Sequence, residues 1–438
     1  MTVIGTGYLG ATHAVCMAEL GHQVLGLDID EAKVAALNNG VVPFFEPGLP
    51  ELLATQLDAG RLHFTTSYEQ VGQFGDVHFV CVGTPQKQGE FAADMTYVDA
   101  AFRRLLPHVR EGALIVGKST VPAGTAERLA GLLDAASVDG VLAPGVELAW
   151  NPEFLREGFA VEDTLRPDRL VFGVRTATAE ARLREAYAAV IARPTPVVTT
   201  DFATAELVKV AANAFLATKI SFINAMAEVC EVTGGDVTML SKALSYDARI
   251  GGRFLHAGLG FGGGCLPKDI RAFMARAGEL GVDQALSFLK EVDAINLRRR
   301  ARMVEIAREL VGGSFRGIRV AVLGAAFKPN SDDIRDSPAL DVADSIQRQG
   351  AAVTLYDPQA MANARRKHPE LGYRDSALSA ARGADLVLHL TEWAEFREMD
   401  PEVLGEVVTE RLIVDGRNAL DPDRWRAAGW TYRALGRP

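Results

Sequence analysis

The sequence predicts an α/β protein with two Rossmann-like, doubly wound parallel-sheet domains joined by a helical middle region with a long central helix. The first 30 residues contain a strand–turn–helix–strand unit, and residues 202–232 contain neither glycine nor proline. The pattern of the first domain then returns after Gly317. Because 438 residues correspond to about three domains, we expect domains at 1–200, 201–312 and 313–438.

The first domain begins with a short β-branched strand at residues 2–5, which runs directly into glycines. An apolar helical pattern follows at 11–20, and a second strand at 23–27 ends in Asp28. Further strands are predicted at 77–82, 114–117, 141–150 and 170–174.

The middle region begins with the helix predicted over 202–232, which would be roughly 45 Å long at about 1.5 Å per residue. A glycine-rich stretch at 251–264 interrupts the helices that follow, and another helical region is predicted near 282–311. A helical middle of this kind often forms a subunit interface.

The last domain repeats the order of the first without its glycine pattern. Gly324-Ala325-Ala326 lacks the second and third glycines, so we do not expect it to hold a dinucleotide in the same way. Lys328 and Arg335 near the strand ends suit a different phosphate ligand or are ordinary exposed cations. The corresponding segments are 319–324 and 2–7, 352–358 and 23–30, 384–393 and 76–85, and 412–418 and 114–120.

Composition excludes several classes of function. A net charge of −10 and a pI near 5.4 argue against a nucleic-acid or anionic-membrane surface. The four widely spaced cysteines form no C-x-x-C pair, and no H-x-x-x-H pair occurs, so no metal site is expected. The uncharged first 18 residues lack a basic leader segment. We therefore expect a soluble cytoplasmic protein.

The turn Gly5-x-Gly7-x-x-Gly10 follows a strand and opens a helix, which is the arrangement that binds a dinucleotide pyrophosphate. Asp28 would accept hydrogen bonds from the ribose hydroxyls of NAD and repel the 2′-phosphate of NADP. Lys33, one turn into the next helix, could stabilise the pyrophosphate or the adenosine end.

The densest signal is the run of residues 260–269, GFGGGCLPKD. Successive glycines expose backbone N–H groups as a partly positive nest, and Cys265 beside Lys268 would ionise more readily there. Asp269 could orient or activate water. Two interpretations are open: a nucleophilic thiol, or a small buried cysteine packed against a glycine turn.

Two other groups of polar residues are candidates. Glu206, Lys209 and Asn213 share one helix face, as a solvated stripe or as part of a cleft. Residues 151–157, NPEFLRE, follow a strand where ligand-facing loops lie, although a surface turn with a local ion pair would look the same.

Taken together, these segments resemble the UDP-glucose/GDP-mannose dehydrogenase family from residue 2 to about residue 420. The joint order of the motifs is far more specific than any one of them. They are GTGYLG at 5–10, FFEPGL at 44–49, VGTP at 82–85, KSTVPAGT at 118–125, NPEFLREG at 151–158, ELVKVAANAFLATKI at 206–220, RIGGRFLHAGLGFGGGCLPKD at 249–269, AFKPNSDDIRDSPAL at 326–340 and VDGRN at 414–418.

The resemblance implies an NAD-dependent four-electron oxidation of a UDP-sugar through a thiohemiacetal and a thioester on Cys265. Lys209 and Asn213 match the active-site lysine and the substrate-contacting asparagine, and Asp269 matches the water-activating aspartate. Thr120 and Glu153 match residues that position the catalytic water and intermediates.

The resemblance also implies two sets of binding residues and a homodimer or higher homo-oligomer, because Arg249 matches an arginine that reaches the sugar from the neighbouring subunit. The NAD contacts would include the turn glycines with Leu9, Asp28, Lys33, Thr84, Thr120, Glu157, Lys268 and Arg335. The sugar-nucleotide contacts would include Glu153, Phe154, Leu155, Arg156, Lys209, Asn213, Phe254, Leu255, His256, Ala257, Gly258, Gly262 and Lys328.

Several alternatives stay open at this point. A two-electron β-hydroxyacid dehydrogenase would need neither Cys265 nor a second α/β domain, and a nucleotide-sugar epimerase should carry the Y-x-x-x-K pair that this sequence lacks. A non-catalytic nucleotide-sugar sensor is a more distant alternative. Within the family, Gly264 before the cysteine favours the glucose branch over the amino-sugar branch, and GDP-mannose is a further possible substrate. His256 replaces a residue that is often Lys in relatives.

Overall fold

The computed structural model describes residues 1–437 and divides into two compact units. The first unit comprises Met1–Ala212 and Arg271–Gly281, and the second comprises Asn213–Ile270 and the chain from Val282 onward. The chain passes from the first unit to the second within the long helix, which begins at Phe202 and ends at Thr233.

An eight-stranded sheet lies at the centre of the first unit, within the described residues, in the order β3-β2-β1-β4-β5-β6-β7-β8. Two groups of buried apolar side chains pack on its faces. Its strands are β1 (Thr2–Ile4), β2 (Val24–Leu27), β3 (Leu62–Thr65), β4 (Val77–Val80), β5 (Leu114–Gly117), β6 (Glu147–Trp150), β7 (Leu170–Val174) and β8 (Val197–Thr200). The helices up to the long one are α1 (Tyr8–Glu19), α2 (Glu31–Asn38), α3 (Leu49–Asp58), α4 (Tyr68–Phe74), α5 (Thr96–Leu105), α6 (Thr125–Val138), α7 (Ala160–Leu165), α8 (Ala177–Ala186), α9 (Ala188–Ile191) and α10 (Phe202–Thr233), with a 3₁₀ turn at Leu106–His108.

The second unit contains a six-stranded sheet, again within the described residues, in the order β11-β10-β9-β12-β13-β14, and its neighbouring strands pair in parallel. Its strands are β9 (Arg319–Leu323), β10 (Ala352–Tyr356), β11 (Gly372–Tyr373), β12 (Leu386–His389), β13 (Leu412–Asp415) and β14 (Thr431–Ala434). The helices after the long one are α11 (Val237–Ser245), α12 (Leu266–Glu279), α13 (Phe288–Leu310), α14 (Pro338–Arg348), α15 (Met361–Lys367), α16 (Ala377–Ala381), α17 (Ala394–Glu398), α18 (Pro401–Gly405) and α19 (Pro422–Ala427), with a 3₁₀ turn at Asp283–Leu286.

The predicted fold class is confirmed, including the internal repeat. In each sheet the first strand of the domain lies between the second and the fourth, so β9, β10, β12 and β13 occupy the positions of β1, β2, β4 and β5. This is the doubly wound order, in which ligands bind beyond the carboxyl ends of the strands where the order reverses.

Two details differ from the sequence-based expectation. The strand expected at 141–150 begins only at Glu147, because Pro144 and Gly145, whose φ is +68°, form a turn before it. In addition, β7 pairs with β6 in the antiparallel direction, although the expectation was a parallel sheet. β8 then pairs with β7 in parallel.

Helix α10 is long and apolar enough to cross a membrane by length and composition. Its buried positions, however, include Glu206, Lys209, Asn213 and Asn224. Asn224 accepts the backbone N–H of Gly258 within the second unit at 2.9 Å. Buried polar groups with internal partners are typical of the core helix of a compact protein.

Candidate active site

The glycine turn after β1 leaves room for an anion at the start of α1. Gly5 has a φ of +88°, and a side chain at Gly10 would collide with the Gly5 carbonyl, so both positions require glycine. Gly7 precedes the helix as its N-cap, and a Cβ there would meet nothing within 4 Å. The turn therefore offers open space at a helix N-terminus, which fits the predicted pyrophosphate.

Asp28 lies where the second strand ends, as predicted, and contacts this turn. Its Oδ2 accepts the backbone N–H and the hydroxyl of Thr6, both at 3.0 Å, and the Lys33 ammonium at 2.9 Å. Burial by itself raises the pKa of Asp28, but Lys33 and the backbone N–H groups of Asp30 and Thr6 outweigh it and lower the pKa. An ionised carboxylate at this position suits ribose hydroxyls and repels a 2′-phosphate.

Thr84 and Thr120 come together beyond the carboxyl ends of β4 and β5, and β4 lies next to β1, where the strand order reverses. The Thr84 hydroxyl donates to the Thr120 carbonyl at 2.7 Å. Leu9 packs against one of the two groups of buried apolar side chains in the first unit. Thr84 and Thr120 thus lie at the same carboxyl end of the first sheet as the glycine turn and Asp28.

A buried glutamate that the sequence analysis did not single out holds the neighbouring loop. Glu46 is 2% exposed and accepts the hydroxyl of Tyr8 and the backbone N–H groups of Gly158 and Ala160, the latter two at 2.6 and 2.7 Å. The predicted cofactor residue Glu157, which is buried, directly precedes this anchor. Glu46 lies in the motif FFEPGL, but its backbone partners Gly158 and Ala160 are more than 100 residues away in the sequence.

The loop after β6 brings Glu153 and Phe154 close to Lys209. Glu153 Oε1 accepts the backbone N–H groups of Phe154 and Leu155 at 2.6 and 2.9 Å. The Lys209 ammonium lies 5.7 Å from the centre of the Phe154 ring. Arg156 instead forms an exposed ion pair with Asp163 at 2.6 Å, so it is held by a local partner in this structure.

Glu206 and Lys209 are buried, which excludes the solvated stripe that the sequence left open. Both Glu206 oxygens accept backbone N–H groups at the start of α6, from Gly124 at 2.7 Å and from Ala126 at 2.6 Å. Burial raises the pKa of Glu206 to about 7, against the opposing effect of those N–H groups and of Arg276. Glu206 therefore anchors the segment that follows Thr120.

In the second unit, Asn213 and Asp269 are joined directly. The Asn213 amide donates to Asp269 Oδ2 at 2.7 Å, and the Lys268 ammonium contacts Asp269 Oδ1 at 2.6 Å. Cys265 lies immediately before α12, and its carbonyl accepts the backbone N–H of Asp269 at 2.9 Å. The predicted thiol and carboxylate thus lie at the start of α12, and the predicted amide lies on α10 in contact with that carboxylate.

Cys265 is exposed, whereas Cys16, Cys81 and Cys230 are buried. The alternative of a small cysteine packed into the core is therefore wrong for Cys265. A thiol at the start of a helix is well placed to act as a nucleophile.

The glycine-rich loop before Cys265 is closely packed. Gly263 has a φ of +83°, and a Cβ there would lie 2.8 Å from the Phe327 ring, while a side chain at Gly264 would collide with the Arg335 guanidinium. The Asn296 side chain binds both backbone groups of Phe261: its Oδ1 accepts the Phe261 N–H at 2.7 Å, and its Nδ2 donates to the Phe261 carbonyl at 2.9 Å. Gly263 therefore cannot take a larger residue without strain, whereas at Gly264 the obstacle is the flexible end of the Arg335 side chain.

Residues 254–258 lie against the VDGRN motif of the same unit. Phe254 adopts a φ of +65°, and Leu259 donates its N–H to the Gly416 carbonyl at 2.8 Å. Arg417, which the sequence analysis did not assign, donates to the carbonyls of Gly260 and Phe327, both at 3.0 Å. The sequence signal that could have identified Arg417 is its place in the VDGRN motif at 414–418. Leu255, Ala257, Gly258 and Gly262 are buried, and His256 is exposed.

The remaining predicted contacts lie nearer the surface. The Arg249 side chain is 89% exposed and pairs with Asp247 at 2.7 Å. The Lys328 ammonium lies 5.6 Å from the ring of its neighbour Phe327.

Asp344, His368 and Glu370 could group around an ion, but Asp344 pairs with Arg348 and His368 with Glu370. Surface ion pairs account for this cluster, and no metal is assigned to it.

Comparison with known proteins places these features in a family. Models of the UDP-glucose/GDP-mannose dehydrogenase family match its NAD binding domain at residues 1–191, its central domain at 203–298 and its UDP binding domain at 321–422. A UDP-glucose 6-dehydrogenase of Rhizobium meliloti (strain 1021) is 41% identical over 440 residues, which cover 100% of this chain and 99% of the relative.

Two solved structures extend the likeness over the whole chain. A UDP-glucose dehydrogenase from the archaeon Pyrobaculum islandicum is 37% identical with a TM-score of 0.90, covering 100% of this chain and 97% of that one. A UDP-D-ManNAc dehydrogenase from Pyrococcus horikoshii is 28% identical with a TM-score of 0.85, covering 100% and 99%.

The fold and the dinucleotide turn define an NAD-dependent oxidoreductase. The chain belongs to the UDP-glucose/GDP-mannose dehydrogenase family, as the sequence motifs predicted. The predicted cofactor NAD is confirmed by the family assignment of the first sheet, and the glycine turn and Asp28 fit it.

Proposed function

We propose that the protein is a UDP-glucose 6-dehydrogenase, which oxidises the C6 alcohol of the sugar to a carboxylate and reduces two NAD⁺ for each sugar. The observation that carries the proposal is the exposed Cys265 at the start of α12, beside the buried Asn213–Asp269 pair. A two-electron alcohol dehydrogenase would not need a thiol there. Relatives about 40% identical over their full length carry this activity in their names.

NAD⁺ held at the glycine turn would supply the hydride acceptor for each half-reaction. The first oxidation converts the alcohol to an aldehyde and releases one proton. The Cys265 thiolate then adds to the aldehyde carbon, and the resulting oxyanion is stabilised by the Lys209 ammonium and the Asn213 amide. Loss of the second hydride leaves a thioester, and water cleaves its C–S bond to give the acid and restore the thiol. Covalent attachment holds the aldehyde between the two oxidations.

Asp269, Glu153 and Thr120 are proposed to handle the water in these steps. Asp269 is buried at 2% exposure and orients Asn213 through Oδ2. Burial of the Glu153 side chain favours the protonated form and raises its pKa. The Lys118 ammonium outweighs this effect, so the pKa of Glu153 is lowered. Both carboxylates therefore serve best as hydrogen-bond acceptors that orient water.

The binding residues are proposed as the family resemblance implies. The first unit would hold NAD through its glycine turn, Asp28, Lys33, Thr84 and Glu157, and the resemblance also implies NAD contacts for Lys268 and Arg335. The loop at 154–156, the loop at 254–258, Gly262 and Lys328 would contact the UDP-sugar. We propose domain limits of 1–200, 201–312 and 313–438 for these roles.

We also propose that the protein works in the cytoplasm as a homodimer. Phe215, Phe222 and Val229 recur every seven residues on α10 and are 67%, 47% and 50% exposed, and Val232 extends this stripe. An apolar stripe with that spacing suits packing against the same helix of a second copy. Arg249, being largely exposed, would then reach the partner's sugar. A Phe222→Glu variant should become monomeric in analytical ultracentrifugation, and an unchanged oligomer would place the interface elsewhere.

The substrate is tested by supplying NAD⁺ with UDP-glucose, UDP-N-acetylhexosamines and GDP-mannose in turn. We expect two NADH for each UDP-glucose and a much lower kcat/KM with the other sugars. A preference for an amino sugar would move the protein to another branch of the family, as would activity with GDP-mannose. One NADH per sugar would contradict the four-electron reaction, and no NADH with any sugar would favour a sensor.

A further inference from the structure

A fully enclosed lysine lies behind Glu153 in the first unit. Strands β5 and β6 are parallel neighbours, with Gly117 opposite Trp150, so Lys118 and Asn151 begin adjacent loops at one sheet edge. Lys118 is 4% exposed. Burying a charged group costs free energy unless partner groups pair with it. The surroundings of Lys118 must therefore supply such partners.

Three acceptors surround the Lys118 ammonium. Nζ lies 2.9 Å from Glu153 Oε2, 3.2 Å from Asn151 Oδ1 and 3.4 Å from the Tyr187 hydroxyl. An ammonium carries three N–H donors, so this set uses its full capacity.

The acceptors are themselves fixed. Tyr187 donates its hydroxyl to Asn151 Oδ1 at 2.7 Å, and the Asn151 amide donates to the Val171 carbonyl at 3.0 Å. The Tyr187 ring stacks on Phe172 with centroids 5.9 Å apart. The ammonium is therefore held by a rigid frame, and Glu153 is its most exposed neighbour.

The two oxygens of Glu153 have separate partners. Oε1 accepts the backbone N–H groups of Phe154 and Leu155, and Oε2 accepts Lys118. The side chain is nevertheless 16% exposed. The side chain is therefore fixed at both oxygens and still keeps some exposure to solvent.

We propose that Lys118 is a positioning residue of the reaction: it holds Glu153 as a fixed, ionised acceptor, so that Glu153 orients the catalytic water and does not take its proton. This inference rests on the proposed function, in which Glu153 positions that water. Stability alone does not require the pair, because buried ion pairs replaced by apolar residues of similar volume often leave a protein equally stable.

The charges around Glu153 support this assignment. Burial raises the pKa of Glu153, but Lys118 and, more weakly, Lys209 outweigh it, so that its pKa is lowered. Burial would lower the pKa of Lys118, but Glu153 outweighs it and the net shift is upward. The other titratable groups that face this carboxylate are Cys16, Cys81 and Tyr187, whose pKa values burial raises. Those three are neutral near pH 7, so the positive charge comes from the two lysines.

The test uses Lys118→Met, which keeps the length of the side chain but removes the charge. Without Lys118, burial dominates and the pKa of Glu153 rises, so the acid limb of the kcat–pH profile should move upward by about one unit or more. At pH 7 we expect kcat to fall about tenfold or more, with partial recovery at higher pH. Sugar bound covalently to Cys265 should accumulate, as measured by intact-protein mass spectrometry.

Two further variants separate positioning from mere structural support. In a Glu153→Gln background, adding Lys118→Met should change kcat by less than about threefold, because interacting residues are not additive. This neutral double variant also remains testable if the single Lys118→Met variant does not fold. Tyr187→Phe keeps the ammonium and removes one contact, so it should lower the melting temperature without moving the acid limb.

Equal losses of kcat from Lys118→Met in both backgrounds would overturn the proposal, and so would an acid limb that stays in place. The wild type is assayed first for two NADH per sugar. If that ratio fails, the proposed function fails, whereas a correct ratio with additive variants rejects only the role of Lys118.

Discussion

The two sheets share their strand order, and each has an aspartate after its second strand, but the two aspartates are enclosed differently. Asp28 is covered by Lys33, whose side chain is 27% exposed. Asp357 is covered by the indole of the buried Trp393, which donates to Oδ2 at 3.0 Å. A flexible cation can move aside for a ribose, whereas a packed indole closes the same position.

The turns after the first strands differ in the same sense. Gly7 has open space beside it, whereas Ala325 and Ala326 are fully buried and both donate their N–H groups to Asp357 Oδ2, at 2.8 and 3.0 Å. Topology alone therefore does not make a dinucleotide site, because side chains of the fold can occupy the strand ends. Of the two sheets in the described residues, the first alone has an open glycine turn, so under the proposed function this one turn would serve both oxidations.

The largest effect is expected for Asp357→Asn. Asp357 accepts five N–H groups, two of them from Gln359 and Ala360 on Oδ1. In the Asn variant, the amide NH₂ group would replace one of the two accepting oxygens and would point at N–H groups that need an acceptor. We expect a loss of about 3 kcal/mol and a melting temperature lower by roughly 6–12 °C, as measured by calorimetry. The KM for NAD⁺ should stay unchanged in the folded fraction. A large rise in that KM would mean that the strand end closed by Asp357 and Trp393 itself takes part in cofactor binding.

Asp28→Asn should act mainly on the cofactor. Losing a charged acceptor for the ribose hydroxyls costs about 1.5–3 kcal/mol, so the KM for NAD⁺ should rise about tenfold or more. The preference for NAD⁺ over NADP⁺ in kcat/KM should narrow, since the repulsion of the 2′-phosphate is removed. Steady-state kinetics with both cofactors measure this. Equal use of the two cofactors by the wild type would contradict the role of Asp28.

Trp393→Phe removes one N–H donor from Asp357 and keeps most of the ring volume. A lost hydrogen bond to a charged group costs about 1.5 kcal/mol, which should lower the melting temperature by roughly 3–6 °C. If the indole only fills space, the variant will melt with the wild type, and the account of the closed strand end will be wrong.

The smallest effect concerns Glu206, whose pKa burial raises to about 7 in the folded protein. The folded state binds more protons than the unfolded state between the ordinary value near 4.5 and about 7, so stability falls as pH rises through this window. Glu206→Gln does not titrate. The melting temperature of the wild type minus that of Glu206→Gln should therefore decrease from pH 4.5 to pH 7. A difference that is constant with pH would show that Glu206 does not titrate there.

The sequence predicted what depends on local pattern. Strands at 114–117 and 170–174 and the helix from Phe202 were placed within one residue, because apolar runs and glycine breaks are local signals. The antiparallel pairing of β7 with β6 was not predicted, because the residues of a strand do not show in which direction it pairs with its neighbour. Lys118 was missed as well, because its partners Asn151, Glu153 and Tyr187 lie 33 to 69 residues away and meet it only in the folded sheet.

The most direct test of the account is NADH formed per enzyme site in a single turnover of Cys265→Ser, with Cys230→Ser, at a buried thiol, as the matched control. The wild type and the control should form two NADH per UDP-glucose, although the control is expected to melt earlier. Cys265→Ser should form at most one NADH per site and then stall, because a serine hydroxyl without a dedicated base is a poor nucleophile. Sustained conversion to the acid by Cys265→Ser, with two NADH per sugar, would contradict the account.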